Sequence, residues 1–134
     1  MGLLYMSRGE IRNQSQAGQL FCFKDLKINK ITPSDIDGLI EYKNKCYIFF
    51  EFKYNHTPLP TGQRLMFERL IDDLSNIKPC IFFLASWDES ILNEKNEVVS
   101  KLSEVYKIRH KKQWITPDGS PTLKACIDWF IESI

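Results

Sequence analysis

The chain has 134 residues, 43% hydrophobic and 13% aromatic, with 18 basic and 17 acidic side chains and a formal net charge of +1. That length suits one domain with a real core and is short for two. The composition excludes a disordered chain, and the near-neutral charge excludes a protein that holds nucleic acid by bulk electrostatics alone. The cysteines, Cys22, Cys46, Cys80 and Cys126, are widely spaced within apolar segments. No Cys-x-x-Cys pair occurs, and neither histidine, His56 nor His110, is near a cysteine in sequence. Buried free thiols are expected rather than a zinc centre. With no secretory pattern and no apolar run of membrane-spanning length, the expected location is soluble and cytoplasmic.

Residues 1–19 read as a peripheral segment: an apolar cluster at Leu3 to Met6, then a polar run in which a short helix is expected around residues 8–16. The core is expected to run from about residue 20 to 134, with Leu20 to Phe23 as a short buried strand or anchor. The next stretch is the most informative one. Residues 35–42 and 46–53 alternate as two strands around a turn at Lys43-Asn44-Lys45. If the turn takes three residues, Tyr42 faces Cys46, Asp37 faces Glu51 and Asp35 faces Lys53. All four charges then lie on one sheet face. The other face carries Ile36, Ile40, Tyr42, Cys46, Ile48, Phe50 and Phe52. A slip of one residue would send the acids toward the apolar side, so the face pattern sets the register. Gly38, directly after Asp37, predicts a close approach or a bend. Two facing carboxylates repel unless something neutralises them, and a hard divalent cation or the nearby lysine would do so.

Pro33, Asp37-Gly38 and the Glu51-Phe52-Lys53 tripeptide on the second strand resemble the motif of the PD-(D/E)XK nuclease superfamily. The chain would be a small single-domain member, and its compactness alone points to a phage or mobile-element type. The resemblance implies a restriction-endonuclease-like core and a metal-dependent nuclease acting on DNA, with RNA left open. Asp37 and Glu51, with the carbonyl of Phe52, would hold Mg²⁺ or Mn²⁺, and Lys53 would orient or activate the attacking water. Asp35 is an accessory acid on this reading, or merely the salt-bridge partner of Lys53. Glu10 is the glutamate available for the N-terminal acid that such proteins often carry, or a solvated residue between Arg8 and Arg12. The resemblance covers about residues 32–85. Alternatives are a structure-selective endonuclease such as a Holliday junction resolvase, and a catalytically silent nucleic-acid-binding or interaction domain on the same fold. A homodimer or a place in a larger complex suits a nuclease this small.

After Lys53, two prolines at Pro58 and Pro60 make residues 54–60 a loop. It carries His56, either an accessory base or phosphate contact or an ordinary loop histidine. A helix is predicted from residue 61 or 62 to about 75, with an apolar stripe at Leu65, Met66, Phe67, Leu70, Ile71 and Leu74. Gln63 lies in its first turn, where free N–H groups favour phosphate. Gln63 followed by Phe67, a Phe where the branch has Tyr, also resembles the helicase–nuclease branch of the superfamily, which implies a catalytic place for Gln63; the alternative is an ordinary polar residue at a helix start. Residues 80–85 are apolar at every position, as a strand covered on both faces requires. Residues 87–97 read as loop, with a helical turn as the alternative, and 98–108, whose pattern is ambiguous, as a strand because a hairpin-like basic turn follows. The run Lys107 to Lys112 is basic; Arg109, Lys111 and Lys112 are candidate nucleic-acid contacts beside Trp114, or a solvated turn. Thr116 to Gly119 predicts a turn, and Ser120-Pro121 the start of a last helix with a stripe at Leu123, Ile127, Phe130, Ile131 and Ile134. The sum is an α/β domain: a mixed central sheet of four to five strands flanked by helices, the last helix beside the Gln63 helix.

Overall fold

The computed structural model describes residues 21–134. The chain divides into two compact units, the first ending at Ser34 and the second running from Asp35 to Ile134. In the first, the described residues form one 3-10 turn, Lys24–Leu26, and an isolated bridge between Ile28 and Ile31. Residues 21–23, the described part of the strand or anchor expected at 20–23, form no strand with any described residue. Cys22 is exposed, against the expectation of four buried thiols, whereas Cys46, Cys80 and Cys126 are buried as free cysteines. The helix expected around residues 8–16 lies outside the described residues.

The sheet and the two α-helices of the described residues belong to the second unit. Strands β1 (Gly38–Tyr42), β2 (Cys46–Tyr54), β3 (Cys80–Trp87), β4 (Glu104–His110) and β5 (Gln113–Ile115) stand in the order β1-β2-β3-β4-β5. Helix α1 (Thr61–Ser75) joins β2 to β3, and α2 (Leu123–Ser133) ends the chain. Pairing is antiparallel except between β2 and β3, which run parallel because α1 carries the chain back to the same end. The fold is therefore α/β with a mixed five-stranded sheet. No helix among the described residues is long and apolar enough to cross a membrane.

The hairpin takes the register that its face pattern requires. Tyr42 pairs with Cys46, Ile40 with Ile48 and Gly38 with Phe50 around a three-residue turn. Lys43 and Asn44 adopt φ of 50° and 60°, and the Lys45 N–H donates to the Tyr42 carbonyl at 2.7 Å. The first strand begins at Gly38 rather than at 35, so Asp35 and Asp37 precede the ladder. Gly38 is where the first strand must lack a side chain. A Cβ there would fall 1.9 Å from the ring of Phe50, which lies across the glycine and meets Phe52 edge-on.

Every residue of β3 from Cys80 to Ser86 is buried, so each face of the sheet needs its own cover. Phe82 and Leu84 join Phe49 under Phe67 and Ile71 of α1, with Phe67 stacked on Phe82 at 4.2 Å between centroids. Ile81 and Phe83 join Cys46 and Ile48 against Leu123, Cys126 and Phe130 of α2. The two helices thus cover opposite faces, and the expectation of side-by-side helices is corrected. A fully apolar strand left bare on one side would expose several large side chains, each worth about 1.5–3 kcal/mol on burial. The last helix begins later than Ser120-Pro121 suggests: Thr122 is its cap, accepting from the Ala125 N–H at 3.2 Å.

Candidate functional site

Parallel strands β2 and β3 end side by side, with α1 starting at the same end. This is where α/β sheets usually place ligands. The sheet register sets two rows of side chains on the α1 face there. Glu51 stands beside Leu84, and Lys53 beside Ser86, which itself faces Glu104 of β4.

Asp37 and Glu51 clasp each other's strands. The Glu51 carboxylate accepts from the Asp37 backbone N–H at 3.1 Å, and the Asp37 carboxylate accepts from the Phe52 N–H at 2.8 Å. A strand residue directs its N–H and C=O to the same side, so the Phe52 carbonyl also leaves toward Asp37, beyond the point where the β1 ladder ends. Gln63, one turn into α1, donates its amide to the second Glu51 oxygen at 2.6 Å. The other end of that amide, Gln63 Oε1, is buried and is the one buried side-chain polar atom among the described residues without a hydrogen-bond partner. Glu51 is only 3% exposed. Burial pushes its carboxyl up to about 7, and the Asp37 carboxyl pushes the same way through its own hydrogen bond and charge, while the Asp37 backbone N–H and the Lys53 charge pull against them. At neutral pH the glutamate is poised between holding and releasing a proton.

The remaining predicted residues divide. Lys53 lies on the Glu51 face, one side-chain repeat along β2, and among the described residues no ion pair joins it to Asp35. Asp35 lies outside the strand ladder. Glu10 lies outside the described residues. His56 follows β2 with φ of 59°, and its backbone N–H donates to Ser86 Oγ at 2.9 Å. Its ring bridges Ser86 Oγ, 3.3 Å from Nδ1, and Glu104, 3.0 Å from Nε2. These contacts pin the β2–α1 loop to β3 and β4. The sequence reading missed Ser86 and Glu104, and no local signal marks them, because their partner lies 30 and 48 residues away.

The candidate nucleic-acid contacts separate as well. Arg109 donates to both oxygens of Asp72, at 3.0 and 2.6 Å, and packs over the Trp114 ring. Trp114 donates its indole N–H to Glu68 at 2.6 Å and meets Phe82 edge-on. Both residues lash the β4–β5 hairpin to α1, so neither is a free platform or a free cation. Lys111 and Lys112 form the exposed two-residue turn, with φ of 51° and 63°, the left-handed values that such hairpin turns need and that Asn-Gly usually supplies.

Among the described residues no group of three His, Cys, Asp or Glu side chains gathers closely enough to enclose a metal. The site offers two carboxylates, one carbonyl direction and an orphaned amide oxygen. Compared with known proteins, the chain matches no family model, no curated protein and no solved structure.

Proposed function

We propose that this domain is a metal-dependent nuclease that hydrolyses phosphodiester bonds in DNA, a PD-(D/E)XK-like enzyme on a restriction-endonuclease-like core. The observation that carries the reading is the Asp37–Glu51–Gln63 cluster, in which a buried glutamate lies against a second acid and beside an amide oxygen with no partner. Such a cluster costs stability, and a structural role gives no reason to keep it. Mg²⁺ fits the residues present. It takes one or two carboxylates and keeps several waters, whose hydrogens suit the vacant acceptor of Gln63. Asp37 and Glu51, with the Phe52 carbonyl, would hold it, and when bound it supplies Lewis-acid stabilisation of the charge that builds on phosphate.

The chain's own residues do the rest. Gln63 fixes the Glu51 carboxylate in one orientation, and Asp37 is fixed by the Phe52 N–H, so little rearrangement remains for the reacting state. Lys53, on the same face, orients the attacking water and takes part in moving its proton. Glu51 must give up the proton that it holds up to about pH 7 before it can hold a cation.

The test is cleavage, with Mg²⁺ or Mn²⁺, of a panel comprising linear duplex, single strand, nicked circle and four-way junction. The same samples should melt at a higher temperature with Mn²⁺. Preference for the four-way junction would identify a resolvase within this reading. DNA binding without cleavage or metal stabilisation would reduce the domain to a silent binding module.

A further inference from the structure

The α1 face continues from Glu51 into a cavity of about 450 Å³ that the hydrolytic residues do not fill. Leu84, the register partner of Glu51, is its floor. Pro58 and Leu59 of the β2–α1 loop form one wall, and Tyr106 and Trp114 form the other. Arg64, next to Gln63, and Lys107 add positive charge to this apolar lining. The Tyr106 wall is built by an irregularity. Leu84 pairs with Lys107 and Ala85 with Val105, so Tyr106 is an extra residue in the β4 ladder. Bulges of this kind re-aim side chains next to active sites. The Tyr106 hydroxyl donates to the Thr57 carbonyl, holding the ring against the loop.

We propose that this cavity receives one unpaired nucleobase of the substrate, so that an adjoining phosphate is presented to Glu51; the inference rests on the nuclease reading above and names its substrate as single-stranded or locally opened nucleic acid. Three features select a base over a purely apolar occupant. The Tyr106 wall, unlike the tied Trp114, is offered to the π-face of any base, and stacking there is worth roughly tenfold or more in affinity per base. The two cations suit the phosphates that a base must bring with it, and the Arg64–Glu68 pair, 2.8 Å long and 45% exposed on its arginine side, is of the weak kind that a phosphate displaces. Finally, floor and acid belong to neighbouring strands about 4.8 Å apart, so a base on Leu84 and a phosphate at Glu51 are within the reach of one nucleotide. A base stacked inside a duplex cannot enter such a cavity until it is flipped out.

The experiment uses the full chain in Ca²⁺, with a short single-stranded oligodeoxynucleotide, versions carrying one abasic site walked along it, and the fully paired duplex. The expected result is a loss of about tenfold or more in affinity at one or two consecutive abasic positions and little change elsewhere. Tyr106→Leu should flatten that profile. Should this variant fail to fold, 2-aminopurine walked along the strand reports on the wild-type protein: quenching confined to the same positions supports the inference. A flat abasic profile, unquenched 2-aminopurine, or tightest binding to intact duplex overturns it. Cleavage in Mg²⁺ separates the two readings. A flat profile with cleavage removes the base cavity and leaves the nuclease, whereas a position-dependent profile without cleavage in Mg²⁺ or Mn²⁺ does the reverse.

Discussion

Glu51 and Glu68 are both glutamates held by residues of α1, yet their surroundings push them in opposite directions. Glu68 accepts from the Trp114 indole and from Arg64, and these hydrogen bonds hold its carboxyl below the usual range. Nearby Asp72 takes both donors of Arg109. Glu51 receives only neutral donors, the Gln63 amide and the Asp37 backbone N–H, lies buried against the Asp37 carboxyl, and is pushed up to about 7. A carboxylate that serves as a brace is given donors enough to stay ionised. One buried with only neutral donors against a second acid holds its proton to higher pH, and on the proposed nuclease reading that is the carboxylate a cation would take over.

The largest effect should come from removing the acids. Glu51→Gln and Asp37→Asn are each expected to lower cleavage by roughly 10²–10³-fold or more while the protein stays folded, as judged by far-UV circular dichroism and turnover of labelled DNA. Either variant cutting at the wild-type rate with Mg²⁺ would sink the metal assignment. Lys53→Met should follow, with a loss of about 10²-fold in rate and DNA binding in Ca²⁺ preserved, because the aliphatic stem remains and only the ammonium is lost. Lys53→Met with full activity would make Lys53 an ordinary surface lysine.

Stability against pH sharpens the contrast between the two glutamates. The folded protein keeps the Glu51 proton to about pH 7, whereas an unfolded glutamate releases it near 4.5. Between these values the folded state binds more protons, so the contribution of Glu51 to stability falls as pH rises through that window. Glu51→Gln should therefore gain on the wild type from pH 4.5 upward and level off above 7, by on the order of 2–3 kcal/mol. Denaturant midpoints for both proteins across this range measure it, and parallel curves would contradict the pushed-up carboxyl. Metal stabilisation should strengthen over the same window as the proton leaves.

Smaller effects belong to the braced side. Arg109→Ala leaves Asp72 without its partner and should cost about 1–3 kcal/mol in denaturant melts. Its main effect is on stability rather than on DNA. Lys111→Ala and Lys112→Ala should leave stability nearly unchanged and each reduce the log–log salt slope of DNA binding by about one unit, if this turn meets phosphate. An unchanged slope would make it a solvated turn.

The sequence by itself determined the parts that follow from periodicity. Alternation in residues 38–53 sets the hairpin register, because a one-residue slip would turn the acids toward Phe50 and Phe52. The unbroken apolar run from Cys80 forces a central strand, and the stripe at Phe67 and Ile71 forces a helix to cover it. The nearness of Asp37 and Glu51 follows from that register continued one residue past Gly38, but their contact rests on two side-chain-to-backbone hydrogen bonds that alternation does not show. Tertiary structure decided the rest, since contacts between distant segments leave no local pattern. That α2 covers the face opposite α1, that Arg109 is taken by Asp72 and Trp114 by Glu68, and that His56 is pinned between Ser86 and Glu104 all depend on which elements become neighbours. So does the state of Glu51: its side chain says it is acidic, but only its burial, with the Asp37 carboxyl beside it, pushes that carboxyl up to about 7.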